Sequence, residues 1–365
     1  MSRRHWSALL AVLALVIAAC GDGETTETTA ETTTTTQATT TTTEATTTTE
    51  PVPEIGSEEN PIKVLFVPSV EAEVIVTGGQ VMADALNEAT GLNFEVSVPT
   101  SYAATIEEMC ASPENTMGFI PGLGYVLASE RCGVDVSFKA VRFGWSVYWA
   151  QILVPRDSDI DSLDDLAGKT WAFPDTGSTS GYMVPALMLE EAGVEPGEMV
   201  EAGGHPQAAL AVYRGEADFA TTFFSPPLMP EGNWELGMEA DIPADIVDTC
   251  APNEDGSRLL CGTDGGWRVL DARASARSDA PDIVQEVRIL TISPAIPNDT
   301  LSFGPDFPAD LRAQIEAALV AFAETEAWEA SIGDQDFYGW TGIEPATDDE
   351  YDNLRKIVDL VGYTP

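Results

Sequence analysis

Residues Ile62–Val98 read IKVLFVPSVEAEVIVTGGQVMADALNEATGLNFEVSV, and their pattern decides the fold. Ile62–Val67 is a short apolar run, Gln80–Ala89 places Met82, Leu86 and Ala89 at helical spacing until Gly91 stops it, and Phe94–Val98 reads as a strand. Strand, helix and strand in succession predict a parallel α/β sheet. Outward from this unit the alternation continues. Ala103–Ala111 predicts a helix with Ile106, Met109 and Cys110 inward, and Met117–Ile120, Val136–Val141 and Gln151–Val154 predict strands. Ser162-Leu163-Asp164-Asp165 offers a capping box. Trp171–Phe173 reads as a strand, Tyr182–Ala192 as a helix, Gln207–Arg214 as a helix stopped by Gly215, and Phe219–Thr222 as a strand. Between Pro226 and Pro281 the pattern breaks into a Pro-, Gly- and Asp-rich excursion. It returns at Val287–Ile292, followed by a helix marked by Leu311, Ile315, Leu319 and Phe322 and another over Asp349–Val361.

The whole chain has 365 residues, enough for about two domains. With 60 acidic and 17 basic residues its formal charge is −43, which argues against a nucleic-acid partner. Arg3 and Arg4 precede an apolar run from Ala8 to Ala19, the form of a secretory signal peptide over residues 1–19. The run ends Ile17-Ala18-Ala19-Cys20, which resembles a bacterial lipobox, so Cys20 is expected to be lipidated after cleavage. From Glu24 to Glu50, 18 of 27 residues are threonine, and residues 20–60 are read as a polar tether. These features predict a fold held outside the cytoplasmic membrane by a lipid anchor, in a compartment where disulfides persist. Cys110, Cys132, Cys250 and Cys261 then form an even set. Their sequence-local pairing is Cys110–Cys132 with Cys250–Cys261, one of the three that four cysteines allow.

Catalytic motifs fail on inspection. Gly168-Lys169-Thr170 ends like a phosphate-binding P-loop, but position 163 is leucine where that loop needs glycine. Gly177-Ser178-Thr179-Ser180-Gly181 has threonine at the centre, where a nucleophile elbow needs serine. Two histidines leave little for a His-rich metal site, no H-E-x-x-H or paired C-x-x-C occurs, and no metal or cofactor is expected. What remains is Asp175–Gly181, between a strand and a helix, where hydroxyls and successive N–H groups can converge on an oxyanion. The same cluster could instead cap only its own helix. Pro185 counts against a regular helix there, since it removes an internal donor.

At this level the chain resembles the phosphate/phosphite/phosphonate-binding proteins of bacterial ABC importers, from Ile62 to the C-terminus. The matching segments are Ser101-Tyr102-Ala103-Ala104, Ser162–Lys169, Ser178-Thr179-Ser180-Gly181-Tyr182, Gly203-Gly204-His205 and Ser293–Asp299. The resemblance implies a two-lobed type II periplasmic-binding-protein fold with a cleft between lobes. Residues 61–149 plus 290–365 would form lobe I, and 150–289, with the excursion 226–281, lobe II. The crossovers would lie near Trp145–Gln151 and Arg288–Ser293. Tyr102 and Tyr148 would line the cleft, Ser178, Thr179, Ser180 and His205 would donate to the oxyanion, and Asp299 would stand near the return crossover. Asp299, if ionised, only accepts hydrogen bonds, which favours a ligand with a P–OH proton and disfavours sulfate. Ser225 falls where family members that take aminoalkylphosphonates carry an acid, which puts an aminated ligand in doubt. The implied protein performs no chemistry. It would be a monomer that passes a small oxyanion to permease and ATPase subunits, with a sensor subunit of the same fold or a secreted phosphate-ester enzyme as rivals.

Overall fold

The computed structural model describes residues 52–263 and 266–361, so the predicted signal peptide, Cys20 and the tether up to residue 51 lie outside the described residues. The folded chain begins before residue 61. Asn93 donates from both its backbone N–H (2.8 Å) and its Nδ2 (3.0 Å) to the Gly56 carbonyl, and Ile55 packs on the first core.

The first sheet is built from β1 (Ile62–Phe66), β2 (Phe94–Ser97), β3 (Thr116–Ile120) and β4 (Asp135–Val141), joined by two later strands introduced below. β1 pairs in parallel with both β2 and β3, as the opening strand–helix–strand pattern predicts. Helix α1 between β1 and β2 spans Ala72–Thr90, eight residues earlier than its apolar spacing suggests. Its first half holds Val74, Ile75, Val76, Gly78 and Gly79, all weak helix formers. Close packing compensates. A Cβ on Gly78 would lie 2.5 Å from the Phe337 ring, and one on Gly79 2.8 Å from Val96, so the helix can seat only with glycine at both positions. Gly91 ends it in the left-handed conformation, as predicted.

Helix α2 (Tyr102–Ala111) leads to β3, and α3 (Gly122–Cys132) leads to β4. A disulfide joins Cys110 in the last turn of α2 to Cys132 at the end of α3, and a second joins Cys250 to Cys261, the sequence-local pairing.

A tight turn at Phe143-Gly144, both with positive φ, carries the chain into β5 (Val147–Pro155) of the second sheet. That sheet adds β6 (Trp171–Phe173), β7 (Met199–Glu201) and β8 (Phe219–Phe224). β6 is parallel to β7 and β8, while β5 is antiparallel to β8. β5 is buried on both faces. Trp149 and Leu153 enter one core, and Ile152 and Val154 enter another on the opposite side, the two-residue period of a strand.

The excursion after Pro226 is more ordered than its composition implies. It contains a three-stranded antiparallel sheet of β9 (Ala251–Pro252), β10 (Leu259–Cys261) and β11 (Trp267–Arg268), and it packs Trp234, Ile242, Val247 and Leu259 into the second-sheet core. Within it Arg273, wholly buried, is bracketed by Asp271 (3.0 Å) and Asp241 (2.7 Å), so the buried charge is balanced on both sides.

β12 (Val287–Ile292) stays on β5 through Ile292, so the return passage runs from Ser293, the last residue of the expected crossover. Residues 290–292, placed by sequence in lobe I, therefore belong to the second sheet. β13 (Ile296–Pro297) pairs antiparallel with Val147 and Tyr148, which sets the two passages side by side. β14 (Thr300–Phe303) then inserts antiparallel between β3 and β4, and β15 (Gly342–Pro345) pairs antiparallel with β4. Both sheets are thus mixed, where the alternation of elements predicted a parallel one. The architecture is α/β with two sheet-centred lobes, and no described helix is long and apolar enough to cross a membrane.

Candidate functional site

The carboxyl ends of the parallel strands in both sheets point toward one region, the usual position for ligands in open α/β folds. There lies a cavity of about 60 Å3. Its walls include Ser69, Tyr102, Arg142, Tyr148, Ser178, Ser180, His205, Phe223, Ser225, Asp299, Phe337 and Tyr338. Six of the seven residues singled out as ligand groups therefore share this cavity.

The seventh, Thr179, does not line it. Its Oγ1 accepts a hydrogen bond from the Leu123 N–H at the start of α3 (3.2 Å), which ties the second-sheet loop to the first lobe. Asp175 does likewise, accepting from the Gly177 N–H (2.6 Å) and from the Tyr102 N–H that begins α2 (3.4 Å). A buried carboxylate against a helix N-terminus is electrostatically favourable. The third tie runs from the His205 N–H to the Ser69 carbonyl (3.1 Å). The lobes are therefore held closed around the cavity by the same loops that form its walls.

The cradle itself is a distorted helix start. Ser178 caps it by accepting from the Gly181 N–H (3.1 Å), as the self-capping alternative requires. Thr179–Met183 forms a π-turn before helix α4 (Val184–Glu191), with the N–H of Met183 bonding back to the Ser178 carbonyl and that of Val184 to Thr179. Pro185 follows directly on this π-turn, and the Gly181 carbonyl four residues before it, which a regular helix would pair with the N–H of residue 185, accepts from the Thr221 hydroxyl instead. Among the described residues, the Thr179 and Ser180 N–H groups make no protein hydrogen bond, so both remain available to an acceptor. Gly181 is obligatory here, since a Cβ would lie 2.2 Å from the Pro174 ring.

His205 opens helix α5 (His205–Tyr213). Its Nε2 lies 3.4 Å from Ser178 Oγ, its ring meets Phe223 edge-on at 5.1 Å, and its Nδ1 has no partner. Burial, and next the positive charge of Arg142, push its pKa down to about 3, so the imidazole is neutral at physiological pH. A neutral ring keeps one N–H to donate. Burial also raises the pKa values of Tyr102, Tyr148 and Tyr338, which remain protonated donors.

Arg142 is the site residue that sequence reasoning missed. It sits at the β4–β5 turn and donates through Nη2 to Asp299 Oδ2 (2.5 Å), through Nη1 to Asn298 Oδ1, and through Nε to the Tyr338 carbonyl (2.9 Å). Its guanidinium also lies 5.5 Å from the Tyr148 ring centre. Asp299 is thus neutralised by an arginine rather than standing alone. A usable signal exists in the sequence: one of only 17 basic residues, at the end of a strand that leads into a predicted crossover.

The excursion also reaches the cavity through Leu270 and Ser275. Beside them Arg277 makes two hydrogen bonds to Asp336 (2.6 and 2.5 Å), and Arg268 bonds Gln335 Oε1 (2.7 Å) while Gln335 donates to the Val269 carbonyl (2.9 Å). These contacts join the second-lobe excursion to the first-lobe segment 335–339. Among the described residues no group of three or more His, Cys, Asp or Glu is placed to hold a metal.

Residues 64–351 match the family model described as "ABC transporter, phosphonate, periplasmic substrate-binding protein". A phosphate-import protein, PhnD, from Mycolicibacterium smegmatis is 25% identical over 322 residues, covering 82% of this chain and 86% of that protein. Among solved structures, a binding component of an ABC phosphonate transporter from Pseudomonas aeruginosa aligns with TM-score 0.61 and 17% identity over 81% of this chain and 85% of that one. PhnD1 from Prochlorococcus marinus, in complex with methylphosphonate, aligns with TM-score 0.60 and 14% identity over 82% of this chain and 98% of that one. At these identities the structures speak to the fold, which is that of the two-lobed binding proteins. The match of the family model over most of the chain shows more: the protein belongs to the periplasmic substrate-binding proteins of ABC phosphonate transporters, a class that binds and does not catalyse.

Proposed function

We propose that the chain is the lipid-anchored receptor of an importer for small phosphorus oxyanions of the size of phosphate, phosphite or methylphosphonate, which it passes to a permease driven by an ATPase. The observation that carries this reading is the match between cavity and ligand. At roughly 10–15 Å3 per water-sized position, about 60 Å3 accommodates some four to six such positions. Phosphate and methylphosphonate each have five non-hydrogen atoms. An aminoethyl tail adds bulk and an ammonium, while Ser225 offers no charge to receive it.

The donors fit as well. Ser178, Ser180, the neutral His205 and the free N–H groups of the helix start supply hydrogen bonds to an oxyanion, and these strengthen when the acceptor is charged. The Mycolicibacterium relative is named for phosphate import, in keeping with a ligand of this size. Two lobes joined by the paired passages that precede β5 and follow β12 would close about them and present an occupied, compact form to the permease. The strongly acidic surface repels anions at long range, but screening within about 8 Å at physiological salt leaves the local donors to set affinity.

Titration calorimetry of the mature protein with phosphate, phosphite, methylphosphonate, 2-aminoethylphosphonate and sulfate tests the reading. Binding of at least one of the first three, with 2-aminoethylphosphonate weaker, is expected; no binding of any phosphorus oxyanion would refute it. Anchoring is tested separately. Mass spectrometry of the exported protein should find acyl chains on Cys20 at the new N-terminus, and Cys20→Ser should release the protein from membranes.

A further inference from the structure

Both Arg142 and Asp299 line the cavity, with side chains only 12% and 13% exposed. A carboxylate there with no partner would oppose every anion that entered. It has a partner, and the pairing is specific. Arg142 engages one oxygen, Oδ2, and leaves Asp299 Oδ1 without a protein partner among the described residues. Of the five guanidinium N–H groups, three are committed, to Asp299, Asn298 and the Tyr338 carbonyl. Two remain. The arginine is itself locked in place, because Asn298 donates to the carbonyls of Ala140 (3.0 Å) and Trp145 (3.1 Å) on either side of the turn that bears it.

We propose that Arg142 determines which oxyanions the site accepts, by cancelling the charge of Asp299 and fixing its free oxygen as an acceptor beside a guanidinium donor. The inference rests on the reading of the cavity as a phosphorus-oxyanion site and adds the group that sets its selectivity. A paired arginine and carboxylate contribute no net charge, yet offer one strong donor and one strong acceptor side by side. A ligand that carries both a negative oxygen and a P–OH uses both. Sulfate, which has no proton to give at neutral pH, uses only the donor and meets the lone pairs of Asp299 with its own. Selectivity then comes from the pair, and neither residue has it alone.

The test is a double-mutant cycle read with phosphate and sulfate by titration calorimetry at pH 7. R142Q leaves the carboxylate uncompensated and should weaken phosphate roughly a hundredfold. D299N leaves the arginine charge unopposed and should strengthen sulfate, narrowing the phosphate preference by about tenfold or more. R142Q/D299N should bind phosphate at least about tenfold more tightly than R142Q, because the second change removes the charge that the first exposed. If the double variant is as weak as R142Q or weaker, Arg142 acts only as a ligand donor or a scaffold and the inference falls. Should R142Q fail to fold, D299N still decides, since an unchanged phosphate-to-sulfate ratio overturns the proposal. Failure of the wild-type protein to bind any phosphorus oxyanion would instead bring down the functional reading beneath it.

Discussion

The wall of the cavity supplied by the second sheet carries hydroxyls, a neutral imidazole and a helix start, whereas the opposite wall, from the first sheet and the two passages, carries both charged residues that line the site. Ser178, Ser180, His205 and Ser225 stand on the first wall; Arg142 and Asp299, with Tyr102, Tyr148 and Tyr338 around them, stand on the second. The difference separates two tasks. Neutral donors held by backbone geometry bind an oxyanion without a fixed counter-charge and so contribute strength. A balanced ion pair adds little net field but dictates where a proton must be, and so contributes choice.

The neutral wall depends on burial, and acid should break it first. His205 has a folded pKa depressed to about 3 against an ordinary value near 6.5, with burial as the main cause. A depressed pKa means that the unfolded chain binds the proton more readily. The stability associated with neutral His205 is therefore complete above about pH 6.5 and is lost as pH falls toward 3. At about 1.36 kcal/mol per pKa unit this is several kcal/mol across the window. Chemical denaturation at steps from pH 7 to 4 should show a markedly shallower loss in His205→Gln than in the wild type; parallel curves would mean that the ring is hydrated in solution.

The next effect sharpens the comparison at the rim, where the excursion reaches from the second lobe to the first. Arg277 is buried and bonds the Gly256 and Ala274 carbonyls (both 2.7 Å), so it is part of the excursion's own scaffold. Asp336, 40% exposed, is the side that can be changed without unmaking that scaffold. Asp336→Asn keeps the shape and removes the charge from a bidentate bond worth about 1–2 kcal/mol in such a half-exposed place. Ligand dissociation measured by stopped flow should quicken by roughly tenfold with little change in association. An unchanged dissociation rate would show that the excursion covers the cavity without restraining it.

How much of this was legible in the sequence follows the same division. The cradle was legible because its signals are local: Ser178 as a cap, Gly181 after it and Pro185 in the next turn are all read within eight residues. Gly203-Gly204-His205 entered only through the resemblance to the binding-protein family, since a lone histidine after two glycines carries no local signal of its own. The charged wall draws on residues 142, 148, 299 and 338, and nothing in the spacing of these four tells that one arginine will reach three of the segments. The excess of acid misleads as well: Asp299 stands out only through the family resemblance, and among 60 acidic residues its neutralising partner is not sought. In the fold, alternation gave the α/β class and the parallel cores β1–β2–β3 and β6–β7–β8. It could not show that Thr300–Phe303, a four-residue strand with two polar residues, would cross from the return passage and insert antiparallel at the centre of the first sheet. The polar pair is tolerated there because Thr300 and Ser302 hydrogen-bond each other (2.8 Å).

The smallest effect concerns Thr179, which stands at the centre of the cradle motif yet is not among the residues that line the cavity. If its hydroxyl were a ligand donor, Thr179→Val would remove a bond to a charged acceptor and cost about 1.5–3 kcal/mol of binding. In the structure that hydroxyl instead serves the Leu123 N–H at the start of α3. Its loss leaves one helix-terminal donor of the first lobe unpaired in the closed form, a cost of about 1 kcal/mol that falls on closure and is the same for every ligand. Ser180→Ala removes a group that lines the cavity and should act differently on phosphate and sulfate. The expected pattern is therefore a uniform, roughly fivefold weakening of phosphate, phosphite and methylphosphonate in Thr179→Val, with an unaltered order of preference, and a larger, ligand-dependent loss in Ser180→Ala. Reversal of that ranking in calorimetry would put Thr179 on the ligand and make the cradle's central hydroxyl, rather than its neighbours, the donor that counts.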